Sequence, residues 1–335
     1  MKFAEKTVRF FKMSGCGNDF ILIDNRQNLI DDDRASDFVQ KVCQRRIALG
    51  ADGVIFLRNS HDIRPGGAPG RADFSMGFFN ADGGEVEMCG NGARCLARFA
   101  YLNGVCPQRM TFETKAGLIE AEVTGSQVKL KMDYRLIPSP QFPLMVNGEQ
   151  RQVFFLKAGV PHAVYLVEDV EQADVIEAGR ATRYHEYFQP QGTNANFVQV
   201  TGPQEIAVRT YERGVEDETL ACGTGCIASS IVCASLGRVV SPVSVVTRSG
   251  CVLKVYYERK KSGVGSQEPG AREGGKAGAG ERKESGVRSQ EPGIKTQNME
   301  CNSAAEFSDI YLQGEARVVA EGNLWLEELS IEKRH

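Results

Sequence analysis

Short apolar runs, most of them alternating with polar positions, dominate the chain, and helical spacing interrupts them at only a few places. Residues 8–13 and 20–23 read as strands flanking a glycine-rich turn at residues 14–18. A helical stretch follows over residues 33–46, with Phe38, Val39 and Val42 on one face. Residues 54–57 and 74–79 are predicted strands, separated by a Pro/Gly-rich loop at 64–71. Ala93, Leu96, Ala97 and Ala100 then recur at helical spacing, and Asn103-Gly104 supplies a stop signal. Alternation returns over 110–114, 119–123 and 128–132, so the first half predicts mostly antiparallel strands around one helix.

The second half repeats the plan. Residues 153–156, 163–167, 196–200 and 205–211 read as strands, with a helical pattern around 170–180. Ile227, Ile231 and Ala234 mark a second central helix that Gly237 closes, and strands follow at 243–247 and 252–257. Internal duplication with a site at the interface is the simplest organisation.

One segment breaks the pattern. Between Glu258 and Glu306 there is no aromatic residue, and residues 262–270 return almost unchanged at 285–293. Such low-complexity sequence cannot bury a core, which predicts a disordered insertion over 258–308. It interrupts an apparent hairpin between 253–257 and 310–312, and loop length adds only logarithmically to closure entropy.

Composition narrows the classes. The chain has 335 residues, 41% hydrophobic and 25% charged, which is globular and long enough for two domains. A net charge of −3 gives no electrostatic case for nucleic acid or an anionic membrane. No apolar run approaches the roughly 18 residues that span a bilayer. The start, Met1-Lys2-Phe3-Ala4-Glu5-Lys6, reads as no secretory signal. Ten cysteines without such a signal point to free thiols and the cytoplasm. No CxxC pair or zinc spacing occurs, and no Walker or dinucleotide fingerprint, so neither metal nor cofactor is predicted.

Five of the ten cysteines (Cys43, Cys95, Cys226, Cys233 and Cys251) lie in apolar patterns and read as small core residues. Two others stand apart. Cys89-Gly90-Asn91-Gly92 and Cys222-Gly223-Thr224-Gly225 each run straight into a predicted helix. A cysteine just ahead of a helix meets free backbone N–H groups and the positive end of the dipole, which favour thiolate. The glycines let a carboxylate approach those N–H groups. The pair lies about 130 residues apart, one domain length. The duplication predicts two thiols facing each other across one substrate.

With those motifs in view, the chain resembles the diaminopimelate epimerase family of cofactor-independent amino-acid epimerases. The likeness rests on a spaced set: Gly15-Cys-Gly-Asn-Asp-Phe20, Gly50-Ala-Asp-Gly53, Asn80-Ala-Asp-Gly83, Met88-Cys-Gly-Asn-Gly-Ala-Arg94, Pro161-His162, Thr193-Asn194, Tyr211-Glu-Arg-Gly214, Ala221-Cys-Gly-Thr-Gly225 and Leu312 to Gly322. The resemblance implies an α/β (α+β) fold of two pseudo-symmetric halves, each a curled sheet around a central helix. It places residues 1–132 with 319–335 in one half and 133–318 in the other. It implies interconversion of LL- and meso-diaminopimelate for lysine and peptidoglycan synthesis, with a small-molecule partner and a homodimer left open.

Inverting an α-carbon needs one group to remove a proton from one face and another to deliver one to the opposite face. By the motif and the resemblance these are Cys89 and Cys222. Backbone N–H groups at Gly90-Asn91 and Gly223-Thr224 suit the charge that gathers on the α-carboxylate. His162 and Glu212 are expected beside the thiols, tuning their protonation. Arg213 is the candidate clamp for the distal carboxylate, Glu212 an acceptor for an amine, and Asn18, Asn80 and Asn194 suppliers of amide contacts. Two departures from many members, Val160 before Pro161 and Gly53 in place of Gln, bear on distal binding. The alternatives are a proline-type racemase or hydroxyproline epimerase of the same fold, and a non-catalytic metabolite-binding relative.

Overall fold

Parallel strand neighbours need a crossover, and in this chain each crossover that carries a helix occurs twice. The computed structural model describes residues 7–61, 72–260, 305–327 and 329. Its first half runs β1 (Thr7–Ser14), β2 (Asp19–Asp24), α1 (Asp32–Val42), β3 (Gly53–Arg58), β4 (Phe74–Asn80), β5 (Glu85–Val86), α2 (Gly90–Leu102), β6 (Arg109–Thr114), β7 (Gly117–Thr124) and β8 (Gln127–Met132). The second runs β9 (Phe142–Val146), β10 (Glu149–Ala158), β11 (Val160–Leu166), α3 (Val175–Arg183), β12 (Asn194–Gly202), β13 (Glu205–Glu212), β14 (Asp217–Thr219), α4 (Gly223–Ser235), β15 (Val243–Thr247), β16 (Val252–Lys260) and β17 (Glu306–Glu315), before β18 (Arg317–Trp325).

Pairing of β1 to β8 is antiparallel except for β2–β3 and β4–β6. From β10 to β17 the same order and sense recur, with β11–β12 and β13–β15 parallel. Helices α1 and α3 fill the first crossover of each half, α2 and α4 the second. The fold is therefore a mixed α/β pair of pseudo-symmetric halves. β18 lies on β1 as β9 lies on β10, and β8–β17 joins the two sheets.

Helices α2 and α4 share one apolar cluster, while α1 and α3 each sit in a separate one. Every residue of α4 from Gly225 to Ala234 is buried, as a helix wrapped by its sheet requires. In α2 the apolar face of Ala93, Leu96, Ala97 and Ala100 is buried too, together with Arg94. No helix among the described residues is long and apolar enough to cross a membrane.

The structure redraws several boundaries. α1 ends at Val42 with Cys43 as its C-cap, and the chain has left the helix by Arg46, which is at positive φ. α3 starts at Val175, where the Asp174 side chain accepts from the Glu177 N–H and caps it. Strands β5, β9 and β14 escape a reading by periodicity, being two to five residues long. Residues 258–260 and 306–308, read from composition as ends of the insertion, are strand, because Glu258 pairs with Ser308 and Lys260 with Glu306. The body of that insertion (261–304), the 64–71 loop and the first six residues lie outside the described residues.

Candidate active site

Cys89 and Cys222 are the N-cap residues of α2 and α4, both in extended backbone geometry. That position turns the sulfur toward the unpaired N–H groups of the first helical turn. The N–H groups of Asn91 and Gly92 face Cys89, and that of Gly225 faces Cys222, though none makes a formal cap bond. Thr224 Oγ1 lies 3.6 Å from Cys222 Sγ. The two helix starts converge on Leu312 of β17: a methyl on Gly90 would lie 3.8 Å from Leu312 Cδ2, and one on Gly223 3.0 Å from the same atom.

The turn at residues 14–18 is wedged against both motifs. A Cβ on Gly15 would sit 2.7 Å from the Asn91 carbonyl oxygen in α2. One on Gly17, whose φ is +112°, would sit 2.7 Å from Leu220 Cβ, just ahead of Cys222. Glycine is required there on both counts, close approach and left-handed backbone.

Glu212, at the end of β13, acts electrostatically on both thiols and faces Cys222 directly. Its Oε2 accepts from Thr219 Oγ1 at 2.9 Å, and burial pushes its carboxyl pKa up. The thiols behave differently from the simple dipole expectation. Burial raises both, outweighing the N–H groups that lower them, and the Glu212 charge pushes the same way. Cys222, beside that carboxylate, stands well above its ordinary value. A helix start lowers a thiol pKa only where water or a cation offsets desolvation.

His162 on β11 is fully buried. Asn196 Nδ2 lies 3.1 Å from its Nδ1 and also donates to the Ala163 carbonyl, while Asn196 Oδ1 accepts from Thr210. With the amide so oriented, Nδ1 accepts and the imidazole proton sits on Nε2, which has no hydrogen-bond partner among the described residues. Burial, aided by Arg213, lowers the His162 pKa to about 3, so it is neutral at ordinary pH. Asn196 connects it to α4, since a Cβ on Gly225 would lie 2.4 Å from Asn196 Oδ1.

The expected binding residues divide. Arg213 is half-buried, donates to the Gln191 carbonyl at 3.0 Å and pairs with no carboxylate among the described residues, so its charge is available. Asn80 is exposed at the end of β4, opposite Gly53. Asn194 is buried and committed to the protein: Oδ1 accepts from the Arg213 N–H at 2.7 Å and Nδ2 donates to Pro161. It sets the Arg213 turn. Gly53 leaves no room for a longer side chain, because a Cβ would lie 2.4 Å from the Phe79 carbonyl oxygen. Asn18 and Asn91 bond to each other. Sequence reasoning missed Asn196, Asp52 and Arg94; the last was legible as a charge inside the apolar face of α2. Among the described residues, no cluster of three His, Cys, Asp or Glu side chains forms a metal site.

The family model for diaminopimelate epimerase matches residues 10–135 and 154–268. A diaminopimelate epimerase of Aquifex aeolicus is 47% identical over 259 residues, covering 75% of this chain and 90% of the relative. One of Hydrogenobaculum sp. is 43% identical over 261 residues, covering 75% and 91%. Among solved structures, a hydroxyproline epimerase from Agrobacterium vitis aligns with a TM-score of 0.59 at 14% identity, covering 97% of this chain and 94% of that one. A phenazine biosynthesis protein of the PhzF family from Bacillus anthracis gives 0.60 at 13%, covering 95% and 99%. At such identities these two show the fold alone. The family-model match and the two closely matched relatives make this chain a member of the diaminopimelate epimerase family.

Proposed function

We propose that this isomerase inverts one α-carbon of diaminopimelate by a two-base mechanism in which Cys89 and Cys222 work from opposite faces. The observation that carries this reading is the pair of N-cap cysteines on related helices, converging on one leucine methyl and sharing one carboxylate. One sulfur, as thiolate, takes the α-proton, and the other, as thiol, delivers its proton to the opposite face. After turnover the two protonation states are exchanged. The carbanion's charge spreads onto the α-carboxylate, where the N–H groups at both helix starts stabilise it, each donor contributing roughly 3–4 kcal/mol. Glu212 disfavours two thiolates at once, which suits a pair that shares one proton.

Arg213 is positioned for the carboxylate at the unreacted end, with Glu212, Asn18 and Asn80 nearby in the same reading. Residues 1–132 with 319–335 form one half and 133–318 the other. A cytoplasmic enzyme fits the free thiols. The hydroxyproline-epimerase reading shares the fold but leaves the Glu212-Arg213 pair without a second amino-carboxylate to meet.

In deuterium oxide, wild type is expected to exchange the α-hydrogen of LL-diaminopimelate as it forms the meso isomer. Cys89→Ser and Cys222→Ser should each lower epimerisation by about 100-fold or more. Near-normal epimerisation by either variant removes that sulfur from the mechanism, and activity on L-proline instead would favour the other reading.

A further inference from the structure

The side chains of Asn18 and Asn91 belong to a hydrogen-bond relay whose two ends can each act in one sense only. At one end Arg94 Nη2 donates to Asn91 Oδ1 at 2.7 Å. A guanidinium has no acceptor, so the Asn91 oxygen must face it. Asn91 Nδ2 then donates to Asn18 Oδ1 at 2.7 Å, and Asn18 Nδ2 donates to Asp52 Oδ2 at 3.1 Å. The far end is a carboxylate, which only accepts.

Both ends are themselves held. Asp52 Oδ2 also accepts from the Asp19 N–H at 3.1 Å, and Oδ1 from Arg45 Nη2 at 2.9 Å. The Asp52 carbonyl accepts from the Ala81 N–H, next to Asn80. Arg94 is fully buried inside the apolar face of α2, and no carboxylate lies within ion-pair distance among the described residues. A buried cation without a counter-ion is costly, so a side chain of this kind calls for a purpose other than stability.

We propose that Arg94 and Asp52 are positioning residues: together they fix the amide polarity of Asn91 and Asn18 before any ligand arrives. Each amide uses one N–H inside the relay and keeps the second. The substrate therefore meets preset donors, which recognise a carboxylate and discriminate against an ammonium group at that spot. This rests on the reading above, in which Asn18 and Asn91 line the substrate site.

The test is Asp52→Asn, which replaces an acceptor-only end by an amide that can present either group. KM for LL-diaminopimelate should rise about tenfold with kcat within about threefold of wild type. The inhibition constant of heptanedioate, which keeps both carboxylates and lacks the amines, should rise in step, while that of 1,5-diaminopentane stays put. Arg94→Lys, which retains a donor, should be milder than Arg94→Met. An unchanged KM and heptanedioate constant in Asp52→Asn overturns the relay. So does a loss confined to kcat, or an equal shift for the diamine. Wild type that fails to exchange the α-hydrogen of diaminopimelate would instead sink the functional reading itself.

Discussion

A buried imidazole that stays neutral is a different tool from the titrating histidine of an open site. His162 has no exposure, an acceptor at Nδ1 engaged by Asn196 and an N–H at Nε2 without a partner among the described residues. Its pKa of about 3 lies below the ordinary 6.5, so the unfolded chain takes up a proton that the folded protein refuses. Its contribution is complete above pH 6.5 and declines as pH falls toward 3. Between pH 7 and 5 that group alone should cost about 2 kcal/mol. Urea unfolding of wild type at the two pH values, compared with His162→Gln, is expected to show the variant losing correspondingly less. An identical pH dependence would show that His162 titrates normally. At this scale the sequence marked the cysteines and the histidine through their motifs. It did not reveal the direction of the thiol shifts, because desolvation comes from neighbours far away in the chain.

The element that carries most information per residue is the turn at 14–18. It touches α2 through Gly15 and the segment before α4 through Gly17, so its shape couples the two cysteine motifs. Gly17→Ala adds a methyl 2.7 Å from Leu220 Cβ at a φ of +112°. Strain of about 1–3 kcal/mol is expected, and the turn must shift to relieve it. We expect thermal stability to fall modestly and epimerisation to fall more; a variant with wild-type melting and turnover would mean the turn is not coupled to the site. Periodicity located α2 and α4, since their apolar faces are regular and their glycine stops clear. Short strands such as β5 and β14 have too few residues to show a period, and α3 was drawn too early because Val170 is apolar but belongs to the preceding turn.

For the whole molecule, duplication sets the architecture, and the chain's own arithmetic of strands shows it: the pairings of β1 to β8 recur in β10 to β17. The low-complexity segment enters between β16 and β17, whose register continues to Lys260↔Glu306. Replacing residues 261–305 by a two-residue Asn-Gly turn should therefore preserve the hairpin, with melting temperature and turnover close to wild type. Loss of folding or activity would assign that segment a structural or functional duty.

By itself the sequence determined the duplicated plan, the two helix-capping cysteines and the family, because these depend on local spacing and on motifs read along the chain. Only the tertiary structure decided how the polar groups are oriented. It turned Asn194 inward to hold Arg213, set Arg94 and Asp52 at the ends of one relay, and desolvated both thiols enough to outweigh the dipole's pull. The physical reason is that hydrogen-bond polarity and desolvation are fixed by groups brought together from distant segments.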